Sequence, residues 1–181
     1  MTETSLLLLP RSGLSGCISA AIVRDTRATS LGALERFNHF PASPLVSLTF
    51  VFEGETRLVP AGGGIDEAAI APPLPKIAVM GPQSRPVTSW NPGPVYAISI
   101  GFYPDAWASI AQTPSAEPLL DGPLETPKWS KAFFEQGARP ENIHAFWEAF
   151  QSAVAPHWTA ARNRSGTDSW SGAGLIGDWS K

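Results

Sequence analysis

A chain of 181 residues fits one domain and is long enough to bury a core without disulfides or structural metals. With 43% hydrophobic residues against 16% charged it is too apolar to stay disordered, while 18 prolines and 16 glycines are too many for a helical bundle and favour short strands with frequent turns. The net charge is −3 and its 13 Lys and Arg are never adjacent, so the surface lacks the clustered cations that give duplex affinity.

Near the N-terminus, Leu6–Leu9 is too short for a signal-peptide core and follows Glu3 without a basic segment, and no stretch reaches the ~20 apolar residues that span a bilayer. After turn signals at Ser12-Gly13 and Ser15-Gly16, loose alternation through Cys17–Arg24 predicts a first strand. Cys17 is the single cysteine, which excludes an internal disulfide and suits a buried, inert thiol in a reducing cytoplasm.

Leu45–Phe52 alternates clearly, with Leu45, Ser47, Thr49 and Val51 on one face and Val46, Leu48, Phe50 and Phe52 on the other. Glu53-Gly54 then predicts a turn into Glu55–Val59 and hence a hairpin, followed by a loop at Pro60 and Gly62–Gly64. Residues 71–75 (APPLP) are excluded from helix and from central strand by their prolines. Strands are predicted at Lys76–Met80, Pro86–Trp90 and Val95–Phe102, the last two joined by the turn Asn91-Pro92-Gly93-Pro94. In the last strand Tyr96, Ile98, Ile100 and Phe102 make a bulky face, opposite the small face of Val95, Ala97, Ser99 and Gly101.

Beyond Phe102 the period becomes helical. Pro104, Asp105, Trp107 and Ile110 predict a short helix, followed over 113–127 by a loop pinned by Leu119 and Leu120. Trp129–Gln136 predicts a helix closed by Gly137. Pro140 opens a longer one, carrying a stripe of Ile143, Phe146, Trp147, Phe150 and Val154, that is expected to end at Pro156. Residues 1–158 are then one domain and 159–181 a linker, in which Trp170 and Trp179 are unusual.

Two Pro- and Gly-punctuated blocks, Phe40–Phe52 (FPASPLVSLTFVF) and Gly81–Phe102 (GPQSRPVTSWNPGPVYAISIGF), lead into Tyr103-Pro104-Asp105-Ala106. In this order the FPA start of a strand, the GP…P…W…PGP segment and the GFYPDA junction resemble the effector-sensing N-terminal half of AraC-family transcriptional regulators, over roughly residues 5–155. The resemblance implies a mainly β (α+β) fold, a cupin-like or jelly-roll β-barrel or sandwich followed by two to three helices. It also implies a small-molecule effector, a homodimer, and contact with DNA only through a C-terminal pair of helix-turn-helix units. The chain stops at Lys181, where those units would begin, so the DNA-reading half is expected to be absent.

Catalytic and metal chemistry find little support in the sequence. His39, His144 and His157 are too widely separated to suggest a metal-binding cluster, and neither a metal nor a cofactor is expected. No G-x-S-x-G is present, Glu53/Glu55 and Asp66/Glu67 sit at expected turns, and Gly62–Gly64 lacks the Lys-Ser/Thr of a phosphate loop. No catalytic residue is assigned.

The aromatic residues are more informative. A ligand pocket combines apolar walls with a few polar groups, and Thr49, Phe50, Trp90, Tyr96 and Ser99 supply that mixture; the alternative is that the rings only fill the core. The Ile143–Val154 stripe has two readings as well, an intersubunit seam as in the resembled regulators or packing on the chain's own body. The favoured reading is a ligand-sensing and dimerising domain without catalysis. Its rivals are a metal-independent cupin-like isomerase or lyase, and a ligand-free structural dimerisation module.

Overall fold

Alternation of large and small side chains builds the main sheet of the protein. A computed structural model describes residues 5–60, 62–111, 120–135 and 142–168, with side chains to residue 164 in the last segment. Among these residues the order is β1 (Ser5–Leu8), β2 (Ile18–Asp25), β3 (Phe37–Phe40), β4 (Val46–Glu53), β5 (Arg57–Val59), α1 (Ile65–Ile70), β6 (Ile77–Met80), β7 (Val87–Trp90), β8 (Tyr96–Phe102), α2 (Pro104–Ala111), β9 (Pro123–Leu124), α3 (Lys128–Glu135) and α4 (Ile143–Asp168). The fold is α+β, with one antiparallel sheet ordered β1-β2-β8-β4-β6-β9 and a second ordered β3-β7-β5. Neither sheet closes on itself, so the expected barrel gives way to two open sheets. No helix among the described residues is long and apolar enough to cross a membrane.

β8 lies at the centre of the larger sheet, between β2 and β4. Its bulky face of Tyr96, Ile98, Ile100 and Phe102 is buried, as are Leu48 and Phe50 on the corresponding face of β4. Helices α2, α3 and α4 cover this face, and the core between them is dominated by aromatic rings. Phe50 meets Phe134, Phe146 and Phe150 at centroid separations of 5.7, 5.7 and 5.8 Å. Such rings bury large apolar areas and add about 0.5–1.5 kcal/mol per well-oriented pair.

This packing decides the role of the α4 stripe. Phe146, Trp147, Phe150 and Val154 are buried within the chain's own core and Ile143 packs against it, so the stripe packs on the chain's own body, the second of its two readings. The helix starts at Asn142, whose Oδ1 accepts hydrogen bonds from the backbone N–H groups of His144 (2.9 Å) and Ala145 (3.3 Å).

Pro156 does not end α4, and residues 160–168 are helix rather than linker. Proline removes one hydrogen bond and crowds the preceding turn, a cost of ~3 kcal/mol in a helix interior. Docking beyond the proline offsets it: Ala161 is buried, Trp158 packs on the core above Gly16, and the Arg164 guanidinium donates to the Ser109 carbonyl of α2 at 3.0 Å. The readings at Leu119, Gly137, Pro140, Trp170 and Trp179 lie outside the described residues.

The expected β4–β5 hairpin is also corrected. Gly54, at φ +78°, swings the chain out of the larger sheet, and β5 pairs with β7 in the second one. Likewise, the Asn91–Pro94 turn joins β7 to β8 across the two sheets rather than within one. β1, β3, β9 and α1 were not anticipated. α1 places Asp66 and Glu67 in its first turn, where the Glu67 carboxylate accepts the Gly64 N–H at 2.9 Å.

Candidate functional site

The small face of the larger sheet turns away from the helices, and the second sheet lies opposite it. Between them is a cavity of about 290 Å³. It exists because most of the facing side chains are short: beside Ala97 of β8, Ser99 and Gly101 lie in register with Thr49 and Ser47 of β4 and with Ile22 and Ala20 of β2. Asn38 of β3, Leu58 of β5 and Ser89 of β7, paired across the second sheet, form the opposite wall. Ile22 of β2 and Phe40 of β3 also line the cavity, and both are exposed.

Most polar groups of the lining hold one another. The hydroxyls of Thr49 and Ser99 share a 2.9 Å hydrogen bond. Asn38 donates to Asn91 Oδ1 at 2.8 Å, and the Asn91 amide donates in turn to the Glu55 carbonyl and to Thr56 Oγ1, both at 2.9 Å. Asn91 thereby ties β7 to the crossover after β4. Arg24 of β2 is the single charged side chain among the described lining residues. Its Nε is buried without a hydrogen-bond partner.

Of the five residues expected to meet a ligand, Thr49 and Ser99 line the cavity and three do not. Phe50 follows Thr49 in the same strand and therefore faces the helices. Tyr96 also lies on the helix side, its ring 5.1 Å from Phe52 and 3.9 Å beneath the guanidinium of Arg27. Burial is the main reason its phenol titrates above the usual range. Arg27 is itself held by Asp25 at 2.7 Å and Glu53 at 2.9 Å. Trp90 sits on the outer face of the second sheet, packed with Phe37, Val59 and Ala68 of α1, and donates to the Ala33 carbonyl at 3.2 Å.

Sequence reasoning missed Arg24, Asn38 and Asn91. The signal for Arg24 was a charge in phase with Ala20 and Ile22 on an otherwise uncharged strand face.

Among the described residues no three His, Cys, Asp or Glu side chains converge as a metal site would need. His39 hydrogen-bonds Thr88 Oγ1 at 3.0 Å on the outer face, and His157 lies 5.5 Å from the Trp129 ring. Cys17 is fully buried, and burial pushes its thiol up to about 12. Because the folded thiol titrates higher than the unfolded one, its contribution to stability is full below the unfolded pKa and is lost as pH rises through the folded value. Wild type is expected to lose about 1.4 kcal/mol per pH unit relative to Cys17→Ala between about pH 9 and 12. Urea melts across that range check it, and equal alkaline slopes would contradict it.

No protein-family model and no curated protein matches this chain.

Proposed function

We propose that this chain is a ligand-sensing domain that binds a small organic molecule between its two sheets and has no catalytic role. The observation that carries this reading is the inter-sheet cavity, about twice the ~150 Å³ that suffices for benzene in an engineered apolar core. A wall of Ala, Ser, Gly and Thr opposite Leu and Asn offers an apolar surface with a few orienting groups, as ligand pockets do. The described lining has no His, Asp, Glu, Lys or Cys to take a proton from a substrate or to activate its hydroxyls, and arginine keeps its proton in proteins, which favours sensing over the isomerase or lyase reading. An open cavity likewise speaks against a ligand-free structural module.

The finer part of the proposal follows the resemblance to AraC-family sensor domains. The two facing sheets would be an opened, cupin-like jelly roll, with ligand binding shifting the population of states that a DNA-reading partner domain senses. With the α4 stripe buried, pairing with a second copy would use another surface.

A ligand that binds only the folded chain raises the melting temperature by mass action, by about 5–11 °C at a hundredfold excess over Kd. A thermal-shift screen of small organic metabolites should give hits whose shifts grow with concentration. Filling the cavity with Ser99→Leu should remove the shifts while keeping a cooperative melt, and Trp90→Ala should leave them intact. Shifts undiminished by Ser99→Leu would place the site elsewhere and overturn the proposal.

A further inference from the structure

Resting on the reading of the cavity as a ligand site, we propose that its ligand is a small organic acid whose single carboxylate pairs with Arg24 while its apolar body lies along the Ala97, Ser99 and Gly101 wall. The first ground is that Arg24 lines the cavity and its Nε is buried with no partner. A buried guanidinium N–H is normally matched by a carboxylate or carbonyl oxygen, because an unpaired buried donor loses its hydration for nothing.

The second ground is that the neighbouring acids are already engaged. Asp25 follows Arg24 and so points to the other face of the strand, and with Glu53 it is held by Arg27. The third is space. Arg24 stands in register with Ala97, whose methyl group leaves the volume beside the guanidinium unfilled, and Ser99 is the next residue of β8 on that face. Burial lowers the Arg24 pKa, as expected of a cation lacking a counter-charge.

The charge count selects the ligand class. One guanidinium and no second cation among the described lining residues suits a monoanion, which it can hold through two parallel N–H donors. Phosphate or sulfate would bring more charge than the site neutralises and would leave the apolar wall uncovered. The remaining polar groups, the Thr49–Ser99 hydroxyl pair and the Asn38–Asn91 amides, are neutral and suit a hydroxyl or carbonyl on the body of the acid.

The test compares benzoate, phenylacetate and hexanoate with their primary amides, and with inorganic phosphate and sulfate, by thermal shift and calorimetry on the full chain at neutral pH. At least one acid is expected to bind about 10- to 100-fold more tightly than its amide, the ratio that loss of one charge-assisted pair gives. Arg24→Met should remove that preference and Arg24→Lys should keep part of it. Without ligand, Arg24→Met should melt no lower than wild type, because the buried Nε has no partner to lose. Amides binding as tightly as acids would overturn the carboxylate assignment and leave the cavity reading standing. Phosphate or sulfate alone reproducing the shift would replace the organic acid by a generic anion site. Failure of acids and amides alike would remove both readings, and an Arg24→Met melt well below wild type would make Arg24 a structural residue.

Discussion

Phe150→Glu is expected to abolish the cooperative melt of this domain rather than release a folded monomer from a dimer. Phe150 is fully buried, with ring centroids of Phe133 at 5.6 Å, Phe50 at 5.8 Å, Trp147 at 5.9 Å and Trp129 at 6.1 Å. Removing such a ring costs about 3–5 kcal/mol, and an unpaired carboxylate in its place adds several more, against a total stability of about 5–15 kcal/mol for a typical domain. Phe150→Leu keeps most of the volume and should cost only about 1–1.5 kcal/mol. Circular dichroism with urea melts distinguishes the two. If the glutamate variant instead melts like wild type and merely sediments as a smaller species, α4 is an interface after all and its packing against β4 and β8 is wrong.

The stripe on α4 shows how far periodicity reaches. Spacing of three and four identified Phe146, Trp147, Phe150 and Val154 as one apolar side, but it carries no information about which surface covers that side. The covering surface is the bulky face of β4 and β8, equally legible as Phe50, Ile98, Ile100 and Phe102. Two complementary apolar faces in one chain point to each other before they point to a second copy.

Strand parity was the stronger clue for the site. Thr49 and Phe50 are consecutive, and Tyr96 and Ser99 are an odd number of residues apart, so within their strands the members of each pair face opposite ways. A pocket containing all of them was excluded by the alternation itself. What alternation did not settle was which face met helices and which met the second sheet. Strand β9 escaped for a different reason: it has two residues, too few for a period to register. Helix α1 has six residues and opens after a glycine-rich loop that reads as a continuing turn. Pro156 misled because helix propensity is local, whereas the burial of Ala161 that sustains the helix past it is tertiary.

The crossover between the sheets gives the second large effect, at Gly54. With φ at +78°, an added Cβ would lie 2.2 Å from the Pro94 carbonyl oxygen and 3.1 Å from the Val95 Cα, so both the left-handed backbone and the contact oppose any side chain. Val95 has little freedom to yield, since its N–H donates to Thr26 Oγ1 and its carbonyl accepts the Thr26 N–H, each at 2.9 Å. Gly54→Ala should therefore lose about 3 kcal/mol or more, a fall in melting temperature of about 6–12 °C. Gly62→Ala is the control: its φ of +77° is nearly the same but nothing lies within 4 Å of the added carbon, so the backbone term alone remains, about 1 kcal/mol. Equal losses in the two variants would mean that the Pro94–Val95 segment is free to move and does not pin the sheets. The consequence for function follows from position, because Thr56, Asn91 and Val95 line the cavity beside this crossover. Prising Gly54 from Pro94 would part the two walls where Asn91 ties them, so Gly54→Ala should weaken ligand-induced stabilisation beyond what its own melting loss explains, whereas Gly62→Ala should leave that stabilisation unchanged.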